Sequence, residues 1–143
     1  MTPRMITKAA LGISAVTGFV TALWILAAPR SFYDDFPGLG NPWISPDGPY
    51  NEHLLRDYGA GMLALSVLAL CAFVWLSRRL AIATGLAWLA AGLPHLVYHL
   101  FNLDPYETGD QVGIVVSLTV GPILALAIVI AGMRLPPEPA SAA

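Results

Sequence analysis

Four apolar stretches, residues 9–28, 58–76, 80–101 and 112–133, take up most of this 143-residue chain. Each has about the 20 residues needed to cross a ~30 Å hydrocarbon core at 1.5 Å per residue. The charges between them are sorted by side. Arg4, Lys8, Arg78, Arg79 and Arg134 fall at one set of ends, with Glu138 as their only acid. Arg30 and Arg56 fall at the other, with Asp34, Asp35, Asp47, Glu52, Asp57, Asp104, Glu107 and Asp110. Five cations and one acid on one side, and two cations and eight acids on the other, add to the formal charge of −2. Lys and Arg mark the cytoplasmic side of a span, so the pattern predicts an all-α, four-helix transmembrane bundle with both termini cytoplasmic.

Apolar residues make up 57% of the chain and charged residues 11%, which leaves room for one membrane domain, residues 1–134, and no soluble one. Residues 135–143, rich in Pro and Ala, are expected to be a disordered cytoplasmic tail. So small a net charge, sorted by side, argues against nucleic acid as a partner. The single cysteine, Cys71, lies inside the second stretch and is expected to be a buried structural thiol. A signal h-region spans 7–15 residues, and the first stretch is longer, with Pro29 where cleavage would fall. It reads as an uncleaved anchor.

Residues 29–50 form the one long connection, an outer loop between spans one and two with prolines at 29, 37, 42, 46 and 49. Its aromatics, Phe32, Tyr33, Phe36, Trp43 and Tyr50, favour the headgroup level, so the loop is expected to fold over the outer mouth as a lid or a sealing belt. A single helical turn fits residues 31–36. Asn51 is placed to cap span two, and Thr108 with Gln111 matches a capping box for span four. The short link Ser77-Arg78-Arg79 makes spans two and three antiparallel neighbours. Gly12, Ser14 and Gly18 in span one, Ala83, Ala87 and Ala91 in span three, and Gly113, Ser117, Gly121 and Ala125 in span four are small-residue ladders of the kind that let helices approach closely. Pro94 and Pro122 are placed to kink their helices.

The chemistry-bearing residues gather near the outer ends. His53 and Asp57 are four apart on span two, and His95 and His99 four apart on span three. From the helix rise, Asp57 is expected level with His99, and Gly61 level with His95, roughly 6 Å deeper. If the two faces meet, the four groups converge at a cost that usually marks function. Imidazoles and a carboxylate could hold zinc, copper or non-haem iron, or Asp57 could orient a histidine at a proton-relay or quinone site. Alternatively the histidines only lock helices together by hydrogen bonds to Asp57, Tyr98 or the carbonyl that Pro94 frees at Ala90. Two histidines on one face disfavour bis-histidine haem ligation. Arg56 is expected to pair with Glu52, Asp57 or a loop acid, or to bind an anion.

The stretches Phe36-Pro37-Gly38-Leu39-Gly40 with Trp43, residues 47–57, Gly85-Leu86-Ala87-Trp88 and Pro94 to His99 resemble four-helix membrane proteins common in actinobacteria, broadly similar to the DoxX-like families. Some DoxX-like proteins are associated with quinone-linked redox complexes. The resemblance covers roughly residues 30–105 and implies the bacterial inner membrane. The lack of a redox cysteine pair argues against a thiol oxidoreductase. The resulting expectation is a structural or accessory subunit of a larger membrane complex or homo-oligomer in the lipid bilayer. The alternative is a small metal- or quinone-binding redox or stress-response subunit. Transport is disfavoured by the absence of an inverted repeat.

Overall fold

The computed structural model describes residues 1–137; of the expected tail, residues 138–143 lie outside the described residues, and Leu135 at its start is buried in the core. Within them run four long helices, α1 (Pro3–Ala27), α3 (Glu52–Val74), α4 (Arg78–Leu100) and α5 (Thr108–Met133). A short helix, α2 (Pro29–Asp35), and a single 3-10 turn (Ser45–Asp47) sit in the long connection. All four long helices are apolar enough to cross a membrane. Three begin four to six residues before the apolar stretch each contains, and in α1 and α3 a polar cap starts the helix there. Thr2 Oγ1 accepts from Met5 N, and Asn51 Oδ1 from Leu54 N. Ser77 Oγ caps α4 in the same way, accepting from Leu80 N at 3.2 Å. The expected box at α5 does not form: Glu107 stands at the cap position, and Gln111 Nε2 donates to the carbonyls of Leu103 and Tyr106 instead.

Side-chain size is distributed inside-out. The core is rich in alanine, with Ala10, Ala15, Ala69, Ala72, Ala81 and Ala125 around Leu11, Trp88 and Ile128. Large aliphatics such as Val20, Leu70, Leu93 and Ile123 are exposed. An apolar exterior of this kind suits a lipid environment. Without a hydrophobic drive between helices, association rests on close packing of small residues. The buried hydroxyls of Thr7, Ser66 and Thr84 donate to carbonyls four residues back in their own helices.

The glycines decide which helices pair closely. A Cβ on Gly18 would collide with Ser66 Oγ of α3, and one on Gly59 would come within 2.7 Å of Ile25 of α1. On the other side, a Cβ on Gly85 would lie 2.9 Å from the carbonyl of Ala125, and Gly92 faces Pro122 at 3.4 Å. So α1 packs tightly along α3, and α4 along α5, while α3 and α4 touch far less. The expected neighbours are adjacent, but theirs is the loosest of these seams. Trp88 holds it open at one level, its Nε1 donating to the carbonyl of Leu65 at 3.3 Å.

The alanine ladder is displaced from this packing. Ala83 and Ala91 are exposed and Ala87 half-buried, while α4 buries Ala81, Thr84, Gly85 and Trp88. A strict spacing of four turns about 40° per step on a helix of 3.6 residues per turn. The stripe from Ala83 to His99 therefore winds nearly halfway round α4. In α5, Ser117 is exposed, Gly121 meets open space, and Gly113 packs against a loop tryptophan rather than a helix.

Candidate functional site

The acidic end of the bundle is closed by residues 36–50. Asp110, in the first turn of α5, grips that segment with both carboxylate oxygens: Trp43 Nε1 donates to one at 2.9 Å and Asn41 Nδ2 to the other at 3.0 Å. The helix dipole favours a negative charge at this position. The indole ring lies where a side chain at Gly113 would otherwise stand, 2.8 Å from the place of its Cβ. Tyr106 OH donates to the carbonyl of Trp43 at 2.8 Å. Tyr106 is only 7% exposed, and burial, with Asp47 and Tyr98 nearby, pushes its phenol up to about 12.

An aromatic chain continues the closure. Trp24, Phe32, Phe36 and Trp43 follow one another at centroid distances of 5.6, 4.7 and 6.1 Å. Tyr33 OH donates to the carbonyl of Gly48 at 2.6 Å, and Arg30 lies over the rings of both Tyr33 and Tyr50. At Gly38 and Gly40 the backbone takes φ of 85° and 109°, which glycine adopts without the steric cost a side chain would add. Arg56 ties α3 to α1. Its Nε donates to Glu52 Oε1 at 2.8 Å, and its Nη1 donates to the carbonyl of Leu26 at 2.9 Å. That carbonyl belongs to the last turn of α1, where no intrahelical donor is left.

The four residues expected to converge divide into two pairs. His53 and Asp57 face outward, 89% and 65% exposed at the side chain, with 3.4 Å between Nε2 and Oδ2. His95 and His99 lie with ring centroids 5.0 Å apart. The partner of His95 across the seam is Tyr58, at 6.0 Å, not Asp57. One residue is a 100° rotation on a helix, and Gly59 fixes it by turning toward α1. The level differs too: Tyr58 meets His95 where Gly61 was expected, a slip of three residues or about 4.5 Å. Among the described residues no group of three His, Cys, Asp or Glu side chains could hold a metal ion, so the four expected ligands do not form a donor set for zinc, copper or iron.

What remains is a cluster of histidine and tyrosine rings. His99 is 9% exposed and its ring stands edge-on to Tyr98, 5.3 Å away. Its Nδ1 is buried and has no hydrogen-bond partner, the one such side-chain atom among the described residues. Tyr98 OH reaches Asp47 Oδ1 at 3.4 Å, joining α4 to the loop. Sequence reasoning missed Tyr58, Tyr106 and the tie of Trp43 to Asp110. The legible signals were the tyrosine beside Asp57 and the carboxylate in the first turn of α5. Cys71 is free and half-buried. Comparison with protein-family models, curated proteins and solved structures gives no match for this chain.

Proposed function

We propose that the chain is an accessory subunit of a membrane complex rather than an enzyme, with both termini in the cytoplasm of a bacterial inner membrane. The excess of cations at one end supports this orientation, and the resemblance to DoxX-like proteins supports the compartment. One observation carries the accessory role: small residues stand uncovered on the outside of the bundle. A Cβ on Gly61 or Gly121 would meet nothing within 4 Å, and Ala83 and Ala91 are exposed. Gaps of this kind admit another helix. The polar groups of the acidic end, by contrast, bond largely to one another. A photo-crosslinking residue placed at Ala91 or Gly121 in the native membrane is expected to capture a discrete protein adduct. Adducts with lipid alone at both positions would sink the reading.

The orphaned Nδ1 of His99 favours a second reading. A neutral imidazole nitrogen can accept a hydrogen bond, so this nitrogen would take an apolar ligand with a donor head group, such as a reduced quinone. Quinol binding to the purified protein would then be lost in His99→Phe and kept in His53→Ala. Near-stoichiometric metal in the native protein, lost in a folded His95→Ala/His99→Ala variant, would count against both readings.

A further inference from the structure

The opposite end of the molecule is rich in cations. Among the described residues, Arg4, Arg78 and Arg134 take part in no ion pair, while the acids within the described residues lie at the other end. Arg4 and Arg78 come from different helices and line one cavity of about 200 Å³, together with Leu76, Ser77, Leu135 and Pro136. Two guanidiniums beside a hydroxyl residue suit a tetrahedral oxyanion, since each guanidinium offers several donors in a fixed fork. The first turn of α1 and that of α4 both end here, and their dipoles add to the same positive field. The rest of the lining is apolar. A second cavity of about 260 Å³ at this end lies between α1 and α5, lined by Pro3, Ile6, Ala127, Ile130 and Arg134. One cavity is polar and cationic and the other apolar, which together suit a phospholipid's phosphate and acyl chain.

We propose that the Arg4–Arg78 cavity binds the phosphate of an anionic phospholipid at the basic end of the bundle. The proposal rests on the membrane reading above but not on the accessory role. Basic pockets between spans bind anionic headgroups by the same physics, and each cation near the surface adds to the attraction.

The test uses the full chain, purified in mild detergent and offered phosphatidylglycerol or phosphatidylcholine, with bound lipid read by native mass spectrometry. Native protein is expected to retain phosphatidylglycerol roughly tenfold better than phosphatidylcholine, and Arg4→Gln/Arg78→Gln to lose that preference. Arg30→Gln, at the far end, should keep it. Should the Gln double variant fail to fold, Arg4→Lys/Arg78→Lys keeps the charge without the fork and is expected to bind more weakly than native but still prefer the anionic lipid. Equal retention of both lipids by native protein would overturn the site. So would an undiminished preference in the folded Gln variant. Displacement of the lipid by millimolar inorganic phosphate, with no residual headgroup preference, would overturn the lipid as the source. Release of the native protein from membranes by alkaline carbonate would instead refute the membrane reading, a result separable from loss of lipid preference.

Discussion

The two seams of α4 use one helix in opposite ways. Toward α5 it offers Gly85 and Gly92, and the backbones meet so closely that the place of a Cβ on Gly85 is 2.9 Å from a carbonyl oxygen. Toward α3 it offers Trp88 and His95, which touch Leu65 and Tyr58 and hold the helices apart. Between those two contacts, seven residues or about 10 Å apart along each helix, Gly61 faces open space and Ala91 is exposed. Where small residues oppose one another in register, the seam closes. Where large ones bracket them, the small residues are left uncovered. The loop makes up for the open seam at the acidic end, since it runs into α3 and is fastened to α4 through Tyr98 and to α5 through Asp110.

The closed seam can be broken with one methyl group. Gly85→Ala must push α4 from α5 because a backbone oxygen blocks the Cβ, and overpacking of this kind costs about 1–3 kcal/mol. Alanine's better helix propensity offsets little of that, because the spans stay helical in a bilayer even when apart. A clear fall in thermal midpoint in nanodiscs is the expected result. An unchanged midpoint would show that the glycine contact does not set the packing.

Raising pH tests the loop that compensates for the open seam. The Tyr106 phenol, held up to about 12 in the folded protein, ionises near 10 when exposed. The folded state then holds its proton more tightly, so Tyr106's contribution is complete below about pH 10 and is lost as pH rises toward 12. A phenolate cannot donate to the Trp43 carbonyl, so the loop should release, at a cost on the order of 1–2 kcal/mol. Trp43 fluorescence is expected to shift to the red across that window, and Tyr106→Phe should remove the transition by this group. A shift already complete at pH 9 would place the phenol in water.

The open seam has one hydrogen bond to lose at Trp88. The hydrogen bond that Trp88→Phe deletes is worth about 0.6 kcal/mol, the usual size between membrane helices, and a loss of that size beyond the cavity left by the smaller ring is expected. A loss several times larger would mean the seam is a principal support.

Much of this architecture was legible from residue type and spacing, and the misread packing faces share one cause. Apolar length revealed the four long helices, and Asn51 read correctly as a cap because that side chain acts on its own helix. The alanine stripe and the His53–Asp57–His95–His99 convergence required the rotation of one helix against another. That rotation is set by Gly18, Gly59 and Gly85, whose neighbours lie far away in sequence. Tyr58 rather than Asp57 meets His95 for the same reason. The Asp110–Trp43 grip joins residues 67 apart and follows no local rule.

The smallest effect is the sharpest comparison. Gly61→Ala adds the same methyl as Gly85→Ala, to a helix of the same bundle, where nothing lies within 4 Å of the new carbon. The isolated chain should change by less than about 0.5 kcal/mol, the size of a surface substitution. The prediction differs in the native membrane if a partner helix lies against this face. There the added methyl would stand in the contact, and recovery of the partner should fall while the chain itself stays as stable as before. Measuring both quantities on one variant separates a face that meets only lipid, where neither changes, from a face that docks a helix, where only the second does. A large loss of stability in the isolated chain would mean that α3 and α4 close further in lipid, and the contrast between the two seams would fail.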